Sequence, residues 1–194
     1  AAEVIEREAA RVNAMHDHVK GEFKNTQGQE QSYKAKDPRF LLWVHCAFTD
    51  SFLKAHLALG YSIDQGADAY VSQWSKSAVP LGLTNAPQSV AELEAALDDF
   101  RINDLATVAR TAEVVRFILN PPFDGAGKFF YKVISNAAIA TLHQHELTLL
   151  GLKKRSKIWL RISRVSLDIF LAILGPEPPA MQVARERIER SQPA

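Results

Sequence analysis

The sequence predicts an all-α fold, a single multi-helix bundle, and three observations support this prediction. Apolar residues recur every three or four positions in one segment after another, as they do along the buried face of a helix. Glycine and proline stand at the ends of these segments, where helices commonly terminate. No segment alternates apolar and polar residues with the period of two that strands favour. The 194 residues suffice for one domain with a substantial core.

The composition is that of an ordinary globular protein, with 47% hydrophobic and 23% charged residues. The net charge of +1 and the lack of a basic stripe argue against nucleic acid as a partner. The single cysteine, Cys46, excludes a disulfide within the chain, and its apolar helical setting predicts a buried, un-ionised thiol. We find no signal peptide, and the most apolar segment is too short and too charged for a membrane span. A cytoplasmic location is therefore expected.

The first predicted helix runs from about Ala2 to Lys20. Its apolar stripe, with spacings of three and four, consists of Ile5, Ala9, Val12, His16 and Val19. His16 therefore shares the face expected to be buried, whereas His18 points elsewhere. Gly21 is expected to end this helix, because glycine adopts the left-handed conformation that helix ends often need.

A polar segment, residues 22–36, predicts a loop with a hairpin-like turn around Gln27-Gly28. Asp37 and Pro38 then predict the N-cap and the first residue of a second helix. That helix is apolar nearly all round, so it is expected to be central and buried. His45 is then a polar group inside the core that needs a partner.

Further helices are predicted by start and stop signals along the rest of the chain. Two capping boxes, Ser62–Gln65 and Ser89–Glu92, place serine at the N-cap and a Gln or Glu three residues later. Another helix is expected to begin near Asp104 and to end at Asn120, before two prolines. The remaining predictions are helices at about residues 128–142, 155–174 and 179–190, with residues 177–194 forming a peripheral terminal helix and tail.

Common catalytic motifs are missing from this sequence, which has no HExxH, no di-iron carboxylate pattern, no G-x-S-x-G and no phosphate loop. His16 and His18 make a poor metal pair, because residues two apart on a helix face away from each other. His16 on a buried face and His45 on a buried helix remain as candidates. Each is open to two interpretations: a core histidine bonded to a carbonyl or carboxylate, or an axial ligand of haem iron.

Three linked blocks of sequence resemble the latex-clearing rubber oxygenases and the MpaB-type oxygenases of mycophenolic acid biosynthesis. The blocks are Met-His-x-x-Val-Lys-Gly, Tyr-x-Ala-x-Asp-Pro and Leu-Trp-Val-His, with matching residues His16, Val19, Lys20, Gly21, Tyr33, Ala35, Asp37, Pro38, Trp43, Val44 and His45. Later elements of the family pattern resemble Leu81-Gly82, Pro87 and Glu92-Leu93. The resemblance extends over the whole chain and weakens after Asn120.

This resemblance implies a single globin-like helical domain over residues 1–194 that holds haem b and uses dioxygen on apolar, unsaturated substrates. It implies that His16 is the proximal iron ligand, that Lys20 meets a haem propionate or a carboxylate, and that His45 supports the site without ligating. The family's distal basic residue and threonine are expected on helices upstream of Ala1, so no catalytic residue is assigned. The family's late proline and arginine are replaced here by His143-Gln144-His145-Glu146.

Two other interpretations stay open at this point. One is a cofactor-free helical scaffold or interaction protein of the same fold. The other is a membrane-surface protein, suggested by the amphipathic segment from Arg155 to Leu174 and its basic flank, although a core helix with a solvated face has the same pattern. The expected partners are a small hydrophobic substrate and dioxygen, with no nucleic acid and no transmembrane segment, and a homodimer is the assembly to test.

Overall fold

The computed structural model describes residues 2–24, 28–175 and 179–191, and this part of the chain is predominantly helical. The described helices are α1 Ala2–His18, α2 Pro38–Ala58, α3 Gly66–Ser75, α4 Val90–Asn103, α5 Thr111–Leu119, α6 Gly125–Thr141, α7 Gln144–Leu150, α8 Ile158–Leu174 and α9 Pro179–Ser191. A 3-10 turn spans Val79–Leu81. An antiparallel hairpin of β1, Lys20–Lys24, and β2, Glu30–Lys34, connects α1 to α2. The all-α prediction is confirmed.

Helix α2 lies at the centre of the fold and packs against α3, α4 and α6, while α6 also packs against α8. The main core cluster consists of Cys46, Leu53, Val71, Leu93, Leu97 and Phe100. Each fully buried leucine or phenylalanine of this kind contributes roughly 1.5–3 kcal/mol of transfer free energy. A smaller cluster of Ala78, Leu83 and Ala86 lies near the 3-10 turn, which α1 contacts.

Helix α2 is central, as predicted from its apolar composition, but it is buried along one face only. His45, Cys46, Thr49 and Leu53 are the buried residues of this helix. By contrast, Val44, Phe48 and Phe52 are each about half exposed, at 48%, 54% and 51%. These three side chains line cavities instead of packing into the core. Apolar composition alone does not distinguish these two environments.

The segment predicted as a loop forms the β1–β2 hairpin, in which Gly21 is paired with Tyr33. Helix α1 therefore ends at His18, and Gly21 is a strand residue and not the glycine that ends a helix. The sequence predicts the turn of this hairpin at Gln27-Gly28. Gln27 lies outside the described residues, and Gly28 has a φ of +78°, in the left-handed region that glycine adopts without a steric penalty.

The two predicted capping boxes have different outcomes. Ser89 is the N-cap of α4, and its hydroxyl accepts a hydrogen bond from the backbone N–H of Glu92 at 3.2 Å, as predicted. Ser62 caps no helix, because α3 begins only at Gly66 and the residue at its N-cap is Gln65. The Ser62 backbone carbonyl instead lies 3.0 Å from a ring nitrogen of His56.

Several helix boundaries differ from the predicted positions. The helix expected near Asp104 begins at Thr111, because Asp104 lies at the C-terminal end of α4 and binds the guanidinium of Arg39. Helix α6 begins at Gly125, earlier than predicted, whereas Asn120 ends α5 as expected. Boundaries of this kind are the least certain part of any prediction from sequence.

The terminal helix α9 lies within the segment predicted as a peripheral helix and tail. Residues 176–178 and 192–194 of that region lie outside the described residues. Among the described helices, none is long and apolar enough to cross a membrane.

Candidate functional site

An apolar cavity of about 360 Å³, here named the His16 cavity, lies between α1, the hairpin, α2, α3 and the segment around the 3-10 turn. Its volume is within the range of pockets that hold small molecules and cofactors. The apolar side chains that line it include Phe40, Leu41, Val44, Phe48, Trp74, Leu81 and Leu83.

Both predicted histidines line the His16 cavity, His16 from α1 and His45 from α2. Nδ1 of His16 and Nε2 of His45 are buried, and neither atom forms a hydrogen bond within the described part of the chain. Leaving a buried polar atom without a partner costs about 1–3 kcal/mol. The interpretation as ordinary core histidines requires a carbonyl or carboxylate partner. The described residues supply none to these two nitrogens, so neither histidine has the partner that this interpretation requires.

Helix α1 positions His16 in its last turn, where the His16 carbonyl accepts a hydrogen bond from the backbone N–H of Val19 at 3.1 Å. The side chain of Asn13 donates to the carbonyl of Pro80 at 3.4 Å and so links α1 to the 3-10 turn. The buried stripe of α1 is shorter than predicted. Ala9 is buried and His16 is half-buried, but Val19 and the first apolar residues of the stripe are exposed.

The imidazole of His45 is held in the buried face of α2, one turn before Thr49, whose hydroxyl donates to the His45 carbonyl at 2.7 Å. Burial lowers the pKa of His45, so its ring is neutral near pH 7. A neutral imidazole keeps one nitrogen lone pair, which can accept a hydrogen bond or bind a metal ion.

The neighbouring residue, Cys46, faces the core and is fully buried. Burial, with a further effect of the Asp50 carboxylate, raises the pKa of the Cys46 thiol to about 11. The prediction of a buried, un-ionised thiol is confirmed. Cys46 is therefore a packing residue and not a nucleophile.

The hairpin supplies an aromatic wall of the His16 cavity. The Tyr33 ring lies across Gly21, where an added Cβ would be 2.9 Å from the ring's Cε1. The same ring packs against Phe40 on α2, with centroids 5.4 Å apart, and against Phe23 on β1 at 6.2 Å. The glycine of the first motif block and the tyrosine of the second thus face each other. The motif blocks contained both residues, but without the hairpin their relationship could not be seen.

Lys20, the third predicted site residue, does not line the His16 cavity. It is exposed at the start of β1 and forms no ion pair with any described residue. The prediction placed Lys20 one helical turn after His16, but α1 ends at His18 and the chain changes direction there. The structure brings His16 and His45 together and leaves Lys20 outside.

The segment that departs from the family pattern lies elsewhere. His143 and Glu146 line a second, larger cavity that does not include His16 or His45. Within the described residues, no group of three or more His, Cys, Asp and Glu side chains is arranged to hold a metal ion.

The sequence model of the family described as "ER-bound oxygenase mpaB/B'/Rubber oxygenase, catalytic domain" matches residues 1–174. No curated protein sequence and no solved structure matches the chain. The matched span contains all three motif blocks and both cavities, and it ends at the last residue of α8.

Proposed function

Because this chain belongs to the mpaB/rubber oxygenase catalytic-domain family, we propose that it is a haem-b-binding oxidoreductase that acts with dioxygen on a hydrophobic substrate. Membership of an oxygenase family supports the reaction class. The observation that carries the choice of cofactor is the pair of imidazoles in one apolar cavity, each with a buried nitrogen that has no partner among the described residues.

The residues of the His16 cavity fit a haem group in two respects. Histidine is a common axial ligand of haem iron, and the fold brings two imidazoles to one cavity. Aromatic and aliphatic walls such as Tyr33, Phe40 and Phe48 suit the flat, apolar faces of the macrocycle. We assign His16 as the iron ligand, as the family resemblance implies, and His45 as the polar residue that supports it.

When bound, haem would supply the redox-active iron at which dioxygen is activated. The chain itself positions His16 on a helix end that is tied to the 3-10 turn. The apolar side chains of Val44 and Leu83 on the cavity wall favour an apolar substrate. The neutral ring of His45 can hold or accept a proton at a buried nitrogen inside the cavity.

Lys20 is proposed to contact an anionic edge of the cofactor from outside the cavity. It precedes Gly21, the partner of the Tyr33 wall, on the same hairpin. Exposed ion pairs are weak, so Lys20→Gln is expected to reduce haem affinity by no more than about fivefold. Lys34→Gln is the matched control, because Lys34 is the cross-strand partner of Lys20. Equal effects of the two substitutions would contradict this role.

The test is the absorption spectrum and iron content of the full-length protein purified from cells supplied with iron and haem precursor. We expect a Soret band that His16→Ala abolishes and that the exposed control His18→Ala retains. His45→Ala is expected to keep the band and to shift its position. A protein without a Soret band would favour the cofactor-free scaffold. A band lost in His45→Ala but kept in His16→Ala would contradict the assigned roles.

Substrate chemistry is tested separately, on haem-loaded protein. We expect oxygen uptake with an unsaturated hydrocarbon such as squalene and none with its saturated counterpart, squalane. Oxygen uptake that is equal with both compounds would contradict action at a carbon–carbon double bond. A haem-loaded protein that consumes no oxygen with either would contradict the oxygenase proposal while leaving haem binding intact.

A further inference from the structure

A second cavity, of about 650 Å³ and here named the Glu146 cavity, lies between α2, α4, α6, α7 and α8. It shares no lining residue with the His16 cavity. Much of its wall is apolar, with contributions from Trp43, Leu97, Leu105, Ile134, Leu160 and Leu167. A cavity of this size and lining suits a small molecule with a substantial hydrocarbon part.

Two pairs of opposite charges also line the Glu146 cavity. The guanidinium Nε of Arg101 donates to Oε1 of Glu146 at 2.8 Å. The ammonium of Lys54 lies 2.8 Å from Oδ2 of Asp50 and 2.8 Å from Nε2 of His143. Because each cation is paired with a carboxylate, these groups present a polar but nearly neutral surface to a ligand.

One acceptor in this surface has no partner. Oε2 of Glu146 is buried and accepts no hydrogen bond within the described part of the chain. Burial by itself would raise the pKa of Glu146, but the hydrogen bonds from Arg101 and from its own backbone N–H, with the charge of Arg101, hold that pKa below its usual value. Glu146 is therefore an ionised group that only accepts hydrogen bonds, and Oε2 requires a donor.

We propose that the Glu146 cavity binds an uncharged aliphatic alcohol, whose chain lies among the apolar side chains and whose hydroxyl donates to Oε2 of Glu146 after a small rotation of the carboxylate toward the cavity. A charged ligand of either sign would lose its hydration without gaining a net attraction from these paired charges. A hydroxyl satisfies Oε2 without adding charge. This inference does not rest on haem binding, because the two cavities are lined by different residues.

The probe pair is 1-decanol and decyl methyl ether, which have the same alkyl chain and differ in the hydroxyl donor. Binding is measured by fluorescence in a Trp74→Phe/Trp159→Phe variant, because Trp43 lines the Glu146 cavity and the other two tryptophans do not. A hydrogen bond to a charged acceptor predicts that decanol binds about tenfold or more tightly than the ether.

Substitution of Glu146 tests the polar contact. In Glu146→Gln the amide oxygen is needed by Arg101, so the amide NH2 is expected to face the cavity and to favour an acceptor. The preference for decanol over the ether is therefore expected to fall about tenfold. Glu113→Gln, an exposed glutamate on α5, is the matched control and should leave this preference unchanged.

Ala138→Leu tests the location without touching the charged pairs, because Ala138 lines the same cavity on α6. Ala138→Leu should weaken decanol binding, and this test does not depend on the folding of Glu146→Gln. His16→Ala should leave decanol binding unchanged, because His16 lines the other cavity. The proposal would be overturned if the protein with intact Glu146, Arg101, Lys54 and Asp50 did not bind decanol. It would also be overturned by equal affinities for the alcohol and the ether, or by decanol binding that Ala138→Leu leaves unchanged. Loss of the Soret band in any of these proteins would bear on the haem proposal alone.

Discussion

Tyr33 and Gly21 are partners across the β1–β2 hairpin, and the tyrosine ring fills the space that a side chain on the glycine would need. The ring lies on the wall of the cavity that also contains His16 and His45. The glycine therefore has a packing role at this position. It allows the aromatic wall to approach the hairpin backbone and contact Phe40 on α2.

Gly21→Ala is expected to destabilise the protein by roughly 1–3 kcal/mol, because the new methyl group meets Tyr33 Cε1 at 2.9 Å and displaces the ring. Urea denaturation measures this loss. Gly127→Ala is the control, since its methyl group would meet Phe123 Cβ at an ordinary 3.9 Å on a helix. Alanine is preferred there by about 0.5–1 kcal/mol, so the control should be neutral or stabilising.

The Tyr33→Val background separates the clash from other effects of Gly21→Ala. If the ring causes the loss, Gly21→Ala should cost at least about 1 kcal/mol less once the ring is removed. The same cost in both backgrounds would show that the ring is not the cause.

The sequence predicted a hairpin-like turn but not its two strands, because these lack the alternation of apolar and polar residues that identifies a strand. Side chains on both faces of β2 are exposed, and only Tyr33 is half-buried. A strand without one buried face has no apolar period of two, so its sequence resembles a polar loop.

Ser89→Ala is expected to cost about 1 kcal/mol, because the Ser89 hydroxyl caps α4 by accepting from the backbone N–H of Glu92. Ser62→Ala is a matched control with the same sequence pattern, and it should change the stability by less than about 0.5 kcal/mol. Thermal or urea unfolding of the two variants makes the comparison. Equal losses would mean that Ser62 also acts as a cap.

The two capping boxes differ in their tertiary surroundings, which sequence cannot show. At α4, the carboxylate of Asp68 on α3 accepts from the backbone N–H of Val90 at 2.8 Å and helps to fix the helix start. At Ser62, the backbone carbonyl is engaged by His56 instead.

The candidate site also depends on tertiary packing that the sequence does not show. Periodicity predicted His16 on the buried face of one helix and His45 on a second, apolar helix, but only the packing of α1 against the 3-10 turn brings both into one cavity.

The Glu146 cavity was missed for a related reason. Its lining comes from five helices that are distant in the chain. The one available signal was the replacement of the family's proline and arginine by His143-Gln144-His145-Glu146. That signal marked a changed surface, but the pairing of Glu146 with Arg101 depends on the approach of α7 to α4.

Burial of His45 should make the folding stability depend on pH. Its pKa is lower in the folded state than the unfolded value of about 6.5, so below that value the unfolded chain binds more protons. The stabilisation is fully present above about pH 6.5 and is lost as the pH falls toward the folded pKa. His45→Gln should reduce the slope of stability with pH by up to about 1.4 kcal/mol per pH unit.

The control for this pH dependence is His18→Gln, because His18 is exposed on the outer face of α1. Urea unfolding of the three proteins between pH 5.5 and 7.5 gives the slopes. The prediction fails if His45→Gln and the unsubstituted protein have the same slope.

Removal of Arg101 should be costly, because it leaves the Glu146 carboxylate unpaired at a site where both side chains are about one-fifth exposed. Arg101→Met is expected to destabilise by roughly 2 kcal/mol or more. Arg101→Met/Glu146→Leu should recover part of that loss, because no charge remains buried. Arg110→Met, which breaks an exposed pair at 4.0 Å, should change the stability by less than about 0.5 kcal/mol. A double variant no more stable than Arg101→Met would contradict this account.

Cys46 should react with a thiol reagent only when α2 opens, because its side chain is fully buried. It is the only cysteine of the chain, so labelling reports on this position alone. With a thiol pKa of about 11, roughly one molecule in a thousand carries the thiolate at pH 8. Labelling by Ellman's reagent is therefore expected to be slow in buffer and complete in urea. Rapid labelling of the native protein would contradict a closed core.

The same reaction tests whether the hairpin and α2 unfold together. If they form one cooperative unit, Gly21→Ala should accelerate Cys46 labelling by the factor that corresponds to its measured loss of global stability, about tenfold per 1.4 kcal/mol. If the hairpin opens alone, Gly21→Ala should leave the labelling rate unchanged, because Cys46 packs against α3 and α4 and not against the hairpin. Since Tyr33 touches Phe40 at the start of α2, we expect the cooperative result.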